Sequence, residues 1–94
     1  MNNKKLPSFR NYGQYSSDNY GVNSLAFDLG SIEIFFSYQT PVAFITAKTG
    51  LVVRENDWST TTGKHLNWID NGDKKARITG EEFEKRLQEA LESI

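Results

Sequence analysis

Strand-like runs joined by short turns are the feature that most restricts the fold of this chain. Within residues 22–56, large apolar side chains recur at every second position, for example at Leu25, Phe27 and Leu29. This alternation places the large apolar side chains on one face of a strand. Short turns that contain glycine are typical of hairpins. We therefore predict a four-stranded antiparallel β-meander over residues 22–56.

Turn residues separate the predicted strands. Gly30-Ser31 reverses the chain into "SIEIFFSYQ", and Lys48-Thr49-Gly50 reverses it between "VAFITA" and "LVVREN". Gly50 suits the left-handed backbone region that a tight hairpin turn needs. The alternation predicts that one face of the sheet packs on the core and that the other face is exposed to water. Phe35 is the exception, because it is a large apolar residue on the predicted wet face.

The C-terminal segment changes to helical spacing. In "ITGEEFEKRLQEALESI", Thr79 stands three residues before Glu82, which is the arrangement of a capping box. Apolar residues then recur at steps of three and four, which predicts an amphipathic helix with a single apolar stripe. That stripe consists of Phe83, Leu87, Ala90, Leu91 and Ile94.

A shorter helix is predicted in "WSTTTGKHLNWI", between the meander and the C-terminal helix. Ser59 or Thr60 can cap it, and Asp70-Asn71-Gly72 can end it. Leu66 and Ile69, together with His65 or Thr62, make its inward face. Gly63 disfavours a helix by roughly 0.5–1 kcal/mol relative to alanine. Its presence indicates that a ligand or the sheet approaches the backbone there.

The first 21 residues follow neither structural period. They are rich in Tyr, Asn and Gly and contain "NYG" twice. We interpret residues 1–21 as an irregular arm whose tyrosines lie on the domain, in preference to an arm that stacks on bases or grips a partner. The sequence thus predicts an α+β fold in a single domain, 1–94, with the meander followed by two helices within 59–94.

Composition excludes several functional classes. The 94 residues carry 11 basic and 12 acidic side chains, so the near-neutral charge argues against a dedicated duplex-DNA binder. With no cysteine and one histidine, neither a disulfide framework nor a Cys or His metal site is expected. No stretch approaches the length of a membrane span, which favours a cytoplasmic protein without cofactors.

Three chemistries are open to the segment around His65. First-turn N–H groups, threonine hydroxyls and Lys64 can surround a phosphate or carboxylate. A P-loop is rejected, because the glycine five residues before Gly63 is missing and His65 stands where Ser or Thr should be. Catalysis by His65 with a hydroxyl nucleophile and one of the acids at 57, 70 and 73 is disfavoured. The third possibility is contact with single-stranded nucleic acid through the tryptophans at 58 and 68, Lys64 and the basic run at 74–77.

Three linked segments carry a resemblance to a known family: "NYGQYSSDNYG", "FFSYQTPVAF" and "GLVVRENDWSTTTGKHLNWIDNGDKKARITGEEFE". They resemble a family of small uncharacterised proteins encoded by bacteriophages and other mobile elements. The resemblance covers nearly the whole chain, and the family has no assigned activity. It implies a phage accessory protein that works by binding in the cytosol of a bacterial host.

We therefore expect a non-catalytic binding protein that holds an anionic ligand, such as a nucleotide, at the start of the short helix. One alternative is an inhibitor of a host defence protein that acts through an aromatic surface around Phe35, Tyr12, Tyr15 and Tyr20. Another is a single-strand binder, and a homodimer is a further expectation because a meander leaves open edges. The expected ligand-binding residues are Trp58, Thr60, Thr61, Thr62, Gly63, Lys64, His65 and Asn67.

Overall fold

The protein is built on one antiparallel sheet in which each strand pairs with the next along the chain. The structure is a computed structural model, and it describes residues 6–13, 23–58 and 60–93. The strand order is β1-β2-β3-β4-β5, so the predicted meander and the α+β class are confirmed. The strands are β1 (Ser8–Asn11), β2 (Ser24–Asp28), β3 (Ile32–Ser37), β4 (Thr40–Thr46) and β5 (Gly50–Val53).

The prediction of four strands is wrong by one. The additional strand, β1, lies in the segment that was predicted to be an irregular arm. It pairs with β2, with Phe9 opposite Phe27, and Arg10 donates a hydrogen bond to the Glu33 carboxylate at 3.1 Å. Four residues are too few for a period to be visible, so only pairing with β2 defines this strand. Tyr15 and Tyr20, predicted to lie on the domain, are outside the described residues.

Two α-helices and a short 3-10 turn follow the sheet. Helix α1 spans Thr60–Asp70, the 3-10 turn spans Lys74–Ala76, and helix α2 spans Gly80–Glu92. Helix α1 ends where predicted, because Asn71 and Gly72 take positive φ angles of 57° and 81° that stop a right-handed helix.

The N-terminus of α2 is capped as expected. The Thr79 hydroxyl accepts a hydrogen bond from the N–H of Glu82 at 3.2 Å. The Glu82 carboxylate accepts a hydrogen bond from Arg86 one turn later. Ser59, one predicted cap of α1, and the Thr60 side chain, the other, lie outside the described residues.

The sheet is covered on both faces, one helix to each. Phe35 is 7% exposed and packs with Leu66 of α1, so its predicted position on a wet face is wrong. The α1 face holds a buried cluster of Ala26, Phe35, Val42, Ala43, Val53 and Leu66. The α2 face holds a buried cluster of Ile32, Ile34, Phe44, Val52, Phe83 and Leu87.

Helix α2 covers only part of its face of the sheet. Phe27 and Leu29, which the alternation assigned to the core, are more than one third exposed. With Leu25, Ile34 and Phe36 they line an open apolar groove of about 460 Å³. A period-two pattern fixes which side chains share a face, but the cover of that face depends on where a helix docks.

Arg54, just after β5, is almost completely buried against the start of α2. Its guanidinium lies 4.5 Å from the ring centre of Trp58 and donates a 2.9 Å hydrogen bond to Asp57. Its Nε is buried and has no hydrogen-bond partner in the described part of the chain. The position of the guanidinium group therefore depends on its packing against Trp58 as well as on its hydrogen bond to Asp57. A Cβ at Gly80 would stand 2.7 Å from Arg54 Cζ.

Gly80→Ala is therefore expected to lower the free energy of unfolding by about 1–3 kcal/mol, because the guanidinium must leave its place. Urea denaturation followed by circular dichroism measures the change. In an Arg54→Leu background the same substitution should be neutral or slightly stabilising, since alanine is the better helix former. Equal losses in both backgrounds would contradict a steric cause.

Candidate functional site

Helix α1 divides the predicted ligand residues between two sides. Thr62 and His65 face the sheet and are buried, at 4% and 0% exposure. Lys64 and Asn67 are on the outward side and are exposed, and Thr61 is half-buried. An α-helix turns by 100° per residue, so residues that are adjacent in sequence cannot all line one cavity. Two cavities flank α1, and each takes some of the predicted residues.

Beneath α1 lies a buried polar cluster. Ser37 Oγ is 2.7 Å from His65 Nδ1 and 3.1 Å from Thr62 Oγ1, both at hydrogen-bond distance. The rings of Tyr12 and Tyr38 pack near the imidazole, with centroids 6.1 and 5.8 Å away. These bonds satisfy polar groups that the core would otherwise leave without water. The cluster therefore anchors α1 to the end of β3.

Two of the three predicted orienting acids bind arginine side chains. Asp57 accepts a hydrogen bond from Arg54, and Asp70 accepts two from Arg77. Both carboxylates are thus committed to buried or part-buried guanidinium groups, which are strong charge-assisted partners. The hydrogen bonds described for these two carboxylates go to arginine and not to His65.

The first cavity, of about 130 Å³, opens beside the buried cluster at the first turn of α1. Its wall includes Trp58, which is 48% exposed, and its floor includes the hydroxyls of Ser37 and Thr62. None of the side chains that line it is charged. This cavity lacks the countercharge that an anion needs. Its lining residues are Ser37, Tyr38, Thr40, Val42, Trp58 and Thr62.

The second cavity is a polar cleft of about 270 Å³ on the other side of α1. It lies between the helix, the segment after β5 and the 3-10 turn. We call it the α1 cleft, and it holds both cationic and amide groups. Its lining residues are Glu55, Asn56, Gly63, Asn67, Lys74 and Arg77.

An ion pair with two parallel hydrogen bonds shapes one wall of the α1 cleft. Arg77 Nε lies 2.7 Å from Asp70 Oδ2, and Arg77 Nη2 lies 3.0 Å from Asp70 Oδ1. The same Nη2 donates to Asn67 Oδ1 at 3.1 Å. Because the side chains of Arg77 and Asp70 are 5% and 6% exposed, this pair is a fixed part of the wall. It joins the end of α1 to the segment that leads to α2.

The charge state of Asp70 follows from these contacts. Burial raises the pKa of Asp70, but the hydrogen bonds and positive charge of Arg77 and the N–H of Gly72 lower it by more. The net effect is a pKa of Asp70 below its ordinary value. The carboxylate is therefore ionised at neutral pH and holds Arg77 in place.

Gly63 has a structural explanation in this cleft. A Cβ on Gly63 would lie 3.1 Å from Asn56 Nδ2, which is tighter than ordinary van der Waals contact. The Asn56 side chain in turn accepts a hydrogen bond from the N–H of Trp58. The group that approaches the Gly63 backbone is thus an amide of the chain itself, which lines the same cleft.

The structure therefore separates the predicted ligand set. Gly63 and Asn67 line the α1 cleft, Trp58 and Thr62 line the smaller cavity, and Lys64 lines neither. Sequence reasoning did not assign Glu55, Asn56, Lys74 or Arg77 to a pocket. The sequence indicates the run at 74–77 as a basic contact for nucleic acid, and its spacing carries no sign of which helix it faces.

Residues 5–85 match one protein family, whose description reads "Family of unknown function (DUF8033)". The chain belongs to the DUF8033 family. The matched span contains all the residues of both cavities and ends within α2. This agrees with the resemblance to a family without assigned activity. No curated protein and no solved structure is significantly similar to the chain.

Two further observations describe the site and its surroundings. Among residues 6–13, 23–58 and 60–93, no group of three or more His, Asp or Glu side chains is arranged to hold a metal ion. The helices in those ranges are also too short or too polar to cross a membrane.

Proposed function

We propose that this member of the DUF8033 family is a non-catalytic binding protein that holds the phosphate or carboxylate group of a ligand in the α1 cleft. The observation that carries the proposal is the set of donors on the cleft wall. Lys74 forms no ion pair with the described part of the chain, and Arg77 Nη1 has no described partner either. Asn67 uses its carbonyl oxygen for Arg77, which leaves its amide N–H groups for a ligand.

The charges in the cleft favour a single anionic group of moderate affinity. Asp70 neutralises Arg77, whereas Glu55 has no ion pair in the described part of the chain and opposes an anion. Lys74 supplies the attractive charge. A phosphate presents several acceptor oxygens, so it can accept from Lys74, Arg77 and Asn67 together.

Phosphate chemistry has two sources here, a free nucleotide and a single nucleic-acid strand. The cleft has a volume of about 270 Å³ and is bounded by α1. These dimensions suit one nucleotide better than a groove that follows a nucleic-acid strand. We favour the nucleotide. The resemblance of the sequence to phage-encoded proteins supports a role as an accessory protein in the bacterial cytosol, where signal nucleotides occur.

The test is calorimetric titration with inorganic phosphate, nucleoside monophosphates and nucleoside triphosphates. Lys74→Gln should weaken binding about tenfold, because a charge-assisted hydrogen bond is lost. Lys75→Gln changes the net charge equally but does not line the cleft, so it should bind as the wild type does. Glu55→Gln should strengthen binding about threefold to fivefold, since it removes a repelling charge.

Three outcomes separate the alternatives. Equal effects of Lys74→Gln and Lys75→Gln would refute the cleft and indicate diffuse charge. A single-stranded oligonucleotide that binds more tightly than any nucleotide, with affinity falling steeply as salt rises, would identify a nucleic-acid ligand instead. Lys64→Ala should have no effect if the α1 cleft is the site, because Lys64 does not line it.

One observation favours the second candidate, an inhibitor of a host protein. The apolar groove beside β2 presents Phe27 and Leu29 to solvent, and exposed apolar patches often mark interaction surfaces. Phe35 and Tyr12, the residues first expected on such a surface, are buried and half-buried. Phe27→Asp should abolish a host-directed activity that Lys74→Gln leaves intact.

A further inference from the structure

The two edge strands of the sheet differ in the hydrogen bonding of their outward main-chain groups. Along β5, the main chain of Ile78 donates to Val53 at 2.9 Å and accepts from Glu55 at 2.7 Å, so part of this edge is closed. Along β1, no strand of the described chain pairs on the outer side. An open edge offers main-chain donors and acceptors to any chain that can align with it.

The hydrogen-bond pattern shows which groups of β1 point outward. The N–H of Tyr12 donates to the carbonyl of Ser24 in β2 at 3.0 Å. Main-chain groups alternate in direction along a strand, so those of Arg10 also point to β2 and those of Phe9 point away from it. The N–H of Leu29 donates to Ile32 of β3, which fits the same alternation across β2. Phe9 therefore presents its N–H and C=O at the open edge.

Two apolar side chains at this edge are exposed. Phe9 is 67% exposed and Leu6 is 83% exposed. The ring of Phe9 lies against Phe27, with centroids 5.6 Å apart, on the same face as the apolar groove. A free strand edge beside exposed apolar rings is an aggregation hazard unless something pairs with it.

We propose that β1 pairs with β1 of a second copy of this chain in a two-fold antiparallel arrangement centred on Phe9. Each Phe9 then donates its N–H to, and accepts at its C=O from, the Phe9 of the partner. A two-fold axis places Phe9 opposite Phe9 of the second copy. The same strand therefore supplies both sides of the interface. The two Phe9 rings come side by side and extend the Phe9–Phe27 contact into a four-ring row.

The charge of Arg10 favours the register centred on Phe9 over the register centred on Arg10. A pairing centred on Arg10 would place two guanidinium groups opposite each other, and like charges in that position are destabilising. With Phe9 at the centre, Ser8 faces Arg10 of the other copy. The Arg10 side chain can then keep its ion pair with Glu33, at 3.1 Å.

The expected interface is small, because it consists of one short strand and the Phe9 and Leu6 side chains of each copy. It falls below the roughly 800 Å² per partner of a standard interface, so the dimer should be reversible. Such a dimer is independent of the proposed ligand binding. β1 and β5 are the opposite edges of the five-stranded sheet, four spacings of about 4.8 Å apart, and Glu55 of the α1 cleft lies just after β5. Either proposal can therefore fail without the other.

Sedimentation velocity over a wide range of protein concentration tests the dimer. The wild-type chain should show a concentration-dependent shift from monomer to dimer, and Phe9→Asp should weaken the association at least about tenfold. Leu51→Asp is the matched control, since Leu51 is an exposed apolar residue of β5, at 42% exposure. It should associate as the wild type does. Unchanged melting temperatures would confirm that both variants fold.

A cross-link tests the register. The chain contains no cysteine, so Phe9→Cys places a single thiol at the two-fold axis. Opposite residues in a hydrogen-bonded pair have Cα atoms about 5.5 Å apart, a separation that a disulfide can bridge. Oxidation should give at least about tenfold more dimer with Phe9→Cys than with Arg10→Cys. A monomer at every concentration, or preferential cross-linking through position 10, would overturn the proposal.

Discussion

Phe83→Ala is expected to lower the free energy of unfolding by about 3–5 kcal/mol. Phe83 is fully buried, and its ring lies 5.7 Å from that of Phe44, which is fully buried as well. Helix α2 reaches the sheet mainly through Phe83 and Leu87, its two buried residues. Truncation leaves a cavity under the first turn of the helix and removes most of the attachment of α2.

This loss is a large share of the total, since domains of this kind are stable by about 5–15 kcal/mol. Urea denaturation followed by far-ultraviolet circular dichroism gives the free energy directly. Leu91→Ala is the control on the same helix, because Leu91 is 39% exposed and should contribute far less. Equal losses for Phe83→Ala and Leu91→Ala would show that α2 does not pack as described.

Arg77→Met is expected to lower the free energy of unfolding by about 3–5 kcal/mol, because it leaves the Asp70 carboxylate buried without its partner. The double variant Asp70→Leu with Arg77→Met should recover much of that loss, since neither charge then remains buried. Arg86→Met is the matched control. Its ion pair with Glu82 is on the surface, where such pairs contribute little.

The same ion pair predicts an acid dependence. The pKa of Asp70 is lowered in the folded protein, so the contribution of Asp70 is fully present above the ordinary aspartate pKa of about 3.9. It is lost as the pH falls through the lower, folded value. In Asp70→Asn this part of the acid dependence should disappear. Urea midpoints measured from neutral to acid pH for both proteins give the comparison, and parallel curves would contradict the assignment.

Local signals predicted most of the secondary structure. Thr79 caps α2 as its spacing from Glu82 indicates, Gly50 has the positive φ that its hairpin requires, and Asn71 and Gly72 end α1. These features depend on bonds within a few residues, so sequence neighbours are enough to define them. The inward positions of Thr62 and His65 followed from helical spacing in the same way.

The errors all concern contacts between distant segments. The alternation of strand residues predicts Phe35 on a solvent-exposed face. It does not show that a helix covers that face as well, and this is why the prediction is wrong. Strand β1 exists through its pairing with β2, more than ten residues later in the chain. The α1 cleft needs Lys74 and Arg77 beside Gly63 and Asn67, and no spacing rule connects them.

The sequence by itself determined the order of strands β2 to β5 and the two helices, the turns between them, the cap of α2 and the side chains that share a face. These depend on short-range hydrogen bonding and on side-chain periodicity. Only the tertiary structure decided which face each helix covers, which edge lacks a partner among the described strands, and which cations meet at the cleft. The walls of that cleft are shaped by the buried Asp70–Arg77 pair and by the close approach of Asn56 to Gly63. Both join segments that come together only when α1 and the following turn pack beside the sheet.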